Sequence, residues 1–387
     1  MRLLFIQDSL GTGGAERSNA NFWYFLKEQD VDIKIIVLEH RNVGIEQEII
    51  DAGFNVYFLK SSHFLSHIRE IAHVIKEYQP VLVHSVLFKA SIRTRLAKLL
   101  VQFTSVESLV NCTYDPIRLS DNRISKIAFY GYKWLDRITA KYLIDYFIPI
   151  THTVKKHYKK HLNIPLNKMN VIYRGREENF YYSSKYKLKK EIALEIGANP
   201  DNLFVIHVGR QEYQKGHLFL LKSIQILEKK NNLNINLLFL GREGNTSQDI
   251  KNYINKKDFN TPIYWLGHRP DVQRFLAASD IFVFPSLYEG LGGALIEAQA
   301  AGLPIICSDI PVLREVIVEN KNAFLFEVSN EVQLSEKLGK LIKDDEARDR
   351  MGAKSIENYK QKFHIENIHN QMLSFYNELL QTSKMNS

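Results

Sequence analysis

Residues 280–306 read DIFVFPSLYEGLGGALIEAQAAGLPII. The run Asp280–Ser286 is short and continuously apolar between its ends, the pattern of a strand covered on both faces, and Pro285 stops it. The glycines of Tyr288–Gly293 mark a loop. A helix is predicted to start near Gly293 and to run through ALIEAQAAG to Gly302, with Pro304 just beyond. Glu289 then lies in the loop and Glu297 about one turn into the helix. The amides of Leu291 to Ala294 have no acceptor within that helix and attract anions to the same crevice. In an open parallel sheet, ligands sit at the carboxyl ends of the strands, where this loop falls.

The same punctuation recurs along the chain. Apolar runs RLLFI, DIKIIVL, NVYFL, VLVHSVL, VESLVN, YFIPI and MNVIY fill the first half, and LFVIHVG, INLLFLG, PIYWLG, IFVFPS, PIICS and AFLFE the second. Helix-length segments separate them, as in βαβ units of a parallel sheet. Two successive α/β blocks result, joined within the polar, tyrosine-rich stretch Glu177–Asn202. The expected boundaries are 1–180 for a first domain and 181–364 for a second. The segment 365–387 repeats Ile365, Ile368, Met372, Phe375, Tyr376 and Leu379 at helical spacing and is expected to return to the first domain. The tip SKMNS is polar.

A chain of 387 residues is long enough for two hydrophobic cores. With 45% hydrophobic and 24% charged residues it has an ordinary globular composition. No run reaches the roughly 18 apolar residues of a membrane-spanning helix, and the opening MRLLFI meets Asp8 too soon for a signal peptide. Cys112 and Cys307, the only cysteines, are far apart, which argues against a disulfide framework or a multi-cysteine metal site. These features predict a cytoplasmic protein. Net charge is +8, and the excess gathers between Lys89 and Lys160, where the acids are only Glu107, Asp115, Asp121, Asp136 and Asp145. Such a bias suits a solvated basic face or an anionic partner: a membrane surface, a phosphorylated substrate or nucleic acid. No aromatic-basic interleaving or nucleic-acid motif supports the last.

Other segments point to phosphate chemistry. RLLFIQDSLGTGGAERS reads as strand, glycine turn and helix, with Gly11, Gly13 and Gly14 allowing close backbone approach and the helix start attracting anions. A dinucleotide fingerprint fails here, because Glu16 stands where its third glycine is needed. In LFVIHVGRQEYQKG, Arg210 and Lys215 fall in the loop after a strand, where a planar fork and a point charge would neutralise a diphosphate. Two carboxylates at a loop and a helix start also occur in glycosidases. Here glycine amides and a cationic loop surround them, which suits a bound phosphate with sugar hydroxyls on the two acids. The alternative for Glu289 is a helix-capping role, and for Glu297 a solvent-facing one.

At these residues the sequence resembles the family-4 retaining glycosyltransferases of GT-B fold, whose hallmark is two glutamates separated by seven residues. Glu289 and Glu297 match it within EGLGGALIEA. The resemblance extends over GTGGAERS, VHSVLFKASIRTRLAKLL, VIYRG, VGRQEYQKG and LGHRPDVQRFLAASDIFVFPSLYEG. It implies two Rossmann-like domains with parallel sheets facing a central cleft and a nucleotide-sugar donor, UDP-linked by preference, bound mainly by the second. Glu297 would then hold the ribose, Arg210 and Lys215 the diphosphate, and Glu289 the hydroxyls of the transferred sugar. Gly290, Leu291, Gly292 and Gly293 would contact sugar and phosphate, and Gly13 and Gly14 would approach the diphosphate. Glu289, Arg210 and Lys215 are the residues expected to carry catalysis, with no metal and no cofactor.

The implied reaction transfers a hexose to a glycan or lipid-linked glycan in capsule, O-antigen or lipopolysaccharide assembly, with the basic helix KASIRTRLAKLL against an anionic membrane. A sugar-nucleotide epimerase shares the fold and is the alternative. The chain departs from the family pattern in three places. Asn111 stands about where relatives carry a histidine, Arg174-Gly175-Arg176 replaces an Asn-Gly followed by an acid, and no glycine pair precedes Glu315. His84 and Asn111 are the acceptor-side residues expected.

Overall fold

The computed structural model describes residues 1–11, 13–41, 43–121, 123–179, 181, 185–229 and 233–385, with side chains described as far as 381. The chain divides into two units, Met1–Gly175 with Ile365–Ser387, and Arg176–His364. In each, the described strands form one six-stranded parallel sheet.

The first unit contains β1 (Arg2–Gln7), β2 (Asp32–Val37), β3 (Asn55–Phe58), β4 (Leu82–Val86), β5 (Ser105–Leu109) and β6 (Tyr146–Pro149), in the order β3-β2-β1-β4-β5-β6. Helices cover both faces, so β1 is buried almost end to end. Leu3 and Phe5 face one core with Trp23 and Leu26 of the helix Gly14–Glu28, whereas Leu4 and Ile6 face another with Ile68, Ile71 and Ile75. The helix Ile365–Met385 places Ile368, Met372, Phe375, Tyr376 and Leu379 in the first of these cores.

Three sequence expectations change here. MNVIY is not a strand: after the turn Leu166–Lys168 it follows β6, with Asn170 donating to the Phe147 carbonyl and Ile172 to that of Pro149, and only Met169 forms a bridge. The helix Phe88–Ala97, expected against a membrane, is internal along much of its length. Arg95 is 1% exposed and forks onto Glu107 at 2.8 Å twice, while its other arm reaches Asp136 at 2.5 Å. His84, expected on the acceptor side, is buried on β4, with its ring nitrogens on Tyr376 Oη at 2.5 Å and Ser108 Oγ at 2.8 Å. Burial, with Arg174 nearby, pushes its pKa down to about 3. A neutral imidazole occupied on both sides ties β4 to the last helix.

The second unit contains β7 (Leu203–Val208), β8 (Ile235–Leu240), β9 (Ile263–Trp265), β10 (Ile281–Phe284), β11 (Ile305–Ser308) and β12 (Ala323–Phe326), ordered β12-β11-β10-β7-β8-β9. All six apolar runs of the second half are strands. β10 is wholly buried. The helix Gly293–Ala300 follows it, entered through Gly292 at φ 84° and left through Gly302 at φ 70°. Both are left-handed positions that glycine adopts without strain.

Candidate functional site

Within the second unit, β7 and β10 are adjacent strands whose connections leave in opposite directions along the sheet. Such a switch point opens a crevice at the carboxyl ends of the strands. The loop after β7 carries Arg210, Gln214 and Lys215, and the loop after β10 carries Tyr288 to Gly293.

The two loops are laced together. Gln214 donates its side-chain amide to the Tyr288 carbonyl at 2.6 Å, and the Leu287 amide donates to the Gln214 carbonyl at 2.8 Å. Gly216, at φ 69°, lies so close that a Cβ there would sit 2.1 Å from the Pro285 carbonyl oxygen. The backbone contact therefore requires glycine. It fixes Lys215, whose ammonium meets Glu289 at 2.5 Å and lies 5.1 Å from the Phe284 ring centroid. Glu289 is buried, with its side chain 8% exposed.

Glu297 has a cation of its own, which the sequence reading missed in that role. Arg176 Nε donates to Glu297 Oε1 at 2.6 Å, and its guanidinium packs where a Cβ on Gly293 would be, 2.0 Å from one nitrogen. The Arg176 backbone is held on both sides, its amide by the Phe363 carbonyl and its carbonyl by Tyr359 Oη. This residue thus stands at the positive end of the helix Gly293–Ala300. A cation there is disfavoured by the helix dipole unless an anion joins it. Glu297 supplies one anion, and a phosphate bound to the amides of Leu291 to Gly293 would supply another.

Arg210 is not drawn into this group. Its side chain is more than half exposed and lies 3.6 Å from Glu212. The structure therefore brings Lys215, Glu289, Gly290, Leu291, Gly292, Gly293 and Glu297 to one strand edge with Arg176, and leaves Arg210 at the rim of the β7 loop.

In the first unit the corresponding switch point lies between β1 and β4. Gly13 and Gly14 open the helix Gly14–Glu28, but the Glu16 side chain folds back over Gly13, where a Cβ would sit 2.3 Å from its carboxylate. A diphosphate approaching these amides must displace that side chain. Thr12, within the quoted glycine motif, lies outside the described residues. Asp8, which the sequence reading passed over, directly follows β1 and accepts from the Ala90 amide at 2.7 Å, at the start of the helix Phe88–Ala97. Burial pushes its pKa up to about 6 against the pull of that amide and of Lys89. Asn111 follows β5 and turns its side-chain oxygen to the Cys112 amide at 2.8 Å.

The family described as Glycosyltransferase Family 4 matches residues 12–180, and that described as Glycosyl transferases group 1 matches residues 189–358. The chain belongs to these group 1, family 4 glycosyltransferases. It is 30% identical over 189 residues to the capsular polysaccharide biosynthesis glycosyltransferase CapM of Staphylococcus aureus, a match covering 48% of each chain. It is 26% identical to an Escherichia coli UDP-Gal:alpha-D-GlcNAc-diphosphoundecaprenol alpha-1,3-galactosyltransferase, over 82% of this chain and 81% of that one. The chain thus spans about half the length of the first relative and about four-fifths of the second. The structure of Anabaena Alr3699/HepE in complex with UDP-glucose matches with a TM-score of 0.84 at 17% identity, over 98% of this chain and all of that one. The fold class of this glycosyltransferase is the GT-B one, built on its two parallel six-stranded sheets.

Proposed function

We propose that this glycosyltransferase moves a hexose, with retention at the anomeric carbon, from a UDP-linked donor to a glycan or lipid-linked glycan of a surface polysaccharide. It would act in the cytoplasm, where such a donor is available. The observation that carries this reading is the pairing of each glutamate with a cation on either side of a glycine amide cradle, Lys215 with Glu289 and Arg176 with Glu297. The capsular and diphosphoundecaprenol relatives support the acceptor class, and the UDP-glucose complex of HepE supports the donor class.

In this reading Glu297 accepts from the ribose hydroxyls and Glu289 from those of the transferred sugar. As the bond between the anomeric carbon and the diphosphate lengthens, negative charge grows on the leaving oxygen. Lys215, Arg176 and the amides of Leu291 to Gly293 are set in advance to meet it, with Arg210 closing from the rim. The charge stabilisation falls to these groups, in a transfer that uses no metal. On the acceptor side, Asn111 remains a proposed contact, His84 is withdrawn because both its ring nitrogens are occupied in the core, and we propose Asp8 as the group that takes the acceptor hydroxyl proton.

The test supplies UDP-, GDP- and ADP-hexoses with lipid-linked glycan acceptors and follows nucleotide release together with the anomeric configuration of the product. Acceptor-dependent UDP release and a retained linkage are expected, both lost in Glu289→Gln. Conversion of the donor into an isomeric nucleotide sugar without acceptor would replace this reading with the epimerase one.

A further inference from the structure

Two arginines of the helix Phe88–Ala97 are held in opposite ways. Arg95 is neutralised in the core by Glu107 and Asp136. Arg93, half-buried, is fixed as firmly, but by groups that carry no charge. Its Nε donates to His67 Nδ1 at 3.1 Å, its Nη1 donates to the Lys89 carbonyl at 2.9 Å, and its guanidinium lies 4.8 Å from the Phe64 ring centroid. His67 is buried, and its Nε2 donates to the Ser61 carbonyl, so the ring turns a bare Nδ1 lone pair to the arginine. Among the described residues, the ion pairs of this helix and its carboxyl-end cap are those of Lys89, Arg95 and Lys98, and not of Arg93. Burial lowers the Arg93 pKa, while Asp8 and Glu39 pull it back up without touching it.

A guanidinium that is aimed but not neutralised is prepared for an anion from outside the fold. Fixing an arginine costs side-chain entropy, and here the buried imidazole fixes it before any ligand arrives. Its place is at the carboxyl edge of the first sheet. Side chains on a helix lean toward its amino end, so Arg93 reaches back to Lys89 and toward the Ala90 amide that holds Asp8. Ala90 and Arg93 differ by a rise of roughly 4.5 Å, a separation that one sugar ring can span. Lys89 pairs with Glu39 at 2.7 Å, and Arg41 lies 3.7 Å from the same carboxylate, so that acid is already met by two cations. Phe64, 41% exposed, and Leu65, 65% exposed, open the helix Phe64–Tyr78 and set apolar surface beside the guanidinium.

We propose that Arg93, oriented by His67, binds the diphosphate that joins the acceptor sugar to its lipid. The inference rests on the acceptor side of the proposed transfer and names the group recognised there. The planar fork of Arg93 takes the phosphate oxygens, Lys89 stands one turn earlier as a second charge, and the first hydrocarbon units run over Phe64 and Leu65. A sugar carried on that diphosphate then presents its hydroxyl toward Asp8. The apolar neighbours favour a diphosphate on a hydrocarbon over one on a free nucleotide. The short separation favours an acceptor whose reacting sugar is the one attached to the diphosphate. His67 is a positioning residue in this scheme, since it acts only through Arg93.

The test is calorimetric titration of the full chain with geranyl diphosphate, after UDP has been added to saturation so that the donor cradle is occupied. Failure of UDP to bind would refute the donor reading, and the effect of changing Arg93 is read separately from it. Wild type is expected to bind geranyl diphosphate at least about tenfold more tightly than inorganic diphosphate, because the hydrocarbon adds buried apolar area. R93Q should weaken geranyl diphosphate by about 10- to 150-fold, the loss of a charge-assisted hydrogen bond. H67F leaves the guanidinium present but unaimed and should lose roughly 3- to 10-fold. R93K keeps the charge without the fork and should fall between wild type and R93Q; it also carries the test if R93Q does not fold, which circular dichroism would show. Absence of geranyl diphosphate binding by the wild type, or equal affinity in R93Q, overturns the proposal. An equal loss for neutral octyl glucoside in R93Q would reduce Arg93 to a prop for its loop and overturn it too. Preference of the wild type for octyl glucuronide over geranyl diphosphate would do the same, by assigning the guanidinium to a sugar carboxylate.

Discussion

Replacing Glu297 by alanine separates a residue that reads ribose from one that merely braces the helix. One oxygen of Glu297 already receives Arg176 at 2.6 Å. A carboxylate offers about four lone-pair positions, so others remain for ribose hydroxyls. A hydrogen bond to a charged acceptor contributes roughly 1.5–3 kcal/mol, which is about 10- to 150-fold in Kd. Glu297→Ala should therefore weaken UDP by that factor in calorimetry. The decisive ligand is 2′,3′-dideoxyuridine diphosphate, which lacks both hydroxyls. Wild type should bind it more weakly than UDP by the same factor, whereas Glu297→Ala should bind the two alike, so that the losses do not add. Stability is a minor complication: the Arg176 and Glu297 side chains are 17% and 28% exposed, and a pair open to solvent contributes about 1 kcal/mol or less. If Glu297→Ala weakens UDP and its dideoxy analogue equally, Glu297 acts through the helix or through Arg176, and the ribose assignment is wrong.

Lys215→Met should lower kcat by about 10²–10³ with a smaller change in KM, the signature of a charge used as the diphosphate departs, and steady-state kinetics with saturating acceptor would show it. Gly216→Ala forces a Cβ to within 2.1 Å of the Pro285 carbonyl at φ 69° and should cost roughly 2–4 kcal/mol in urea unfolding; a loss under about 0.5 kcal/mol would contradict the loop lacing. With Asp8 raised to about 6, kcat/KM should rise through that pH as the carboxylate forms, and Asp8→Asn, which keeps an acceptor for the Ala90 amide, should abolish the activity governed by that limb. His84 is neutral in the fold, with its pKa lowered to about 3 from 6.5, so the unfolded chain binds the extra proton between those values. Its contribution is present above pH 6.5 and is lost as pH falls toward 3, at about 1.4 kcal/mol per pH unit; His84→Gln should flatten the acid limb of a stability curve by one proton.

What could be read in the sequence was whatever neighbouring residues decide. Glu289 and Glu297 share one strand, loop and helix start, so their placement follows from the local order of a buried run, glycines and alanines. Arg176 is as plainly a cation as Lys215, but its partner is 121 residues away, and no spacing rule joins them. His84 is satisfied by Tyr376, 292 residues on, which is why a histidine at a strand end could be mistaken for a ligand-facing group. MNVIY has a strand's composition and sits beside β6, yet only Met169 makes a bridge. Pairing depends on geometry set elsewhere in the chain.

The basic excess shows the same limit most clearly. Between Lys89 and Lys160 the sequence offers a surplus of positive charge, and the helix Phe88–Ala97, with two arginines and a lysine, looks like its focus. In the fold, Arg95 is withdrawn from the surface because β5 brings Glu107 and a later helix brings Asp136 to meet it. Two acids around one buried cation leave that cluster without surplus positive charge, and burial raises the pKa of Glu107 to about 7. The same Asp136 that neutralises Arg95 is thereby removed from the outer face of its own helix. One internal ion cluster thus takes a cation from the helix that looked membrane-facing, and takes the one acid of the helix Lys126–Tyr142 out of the surface charge. A charge count locates neither effect, because both follow from which acid the fold delivers to which base.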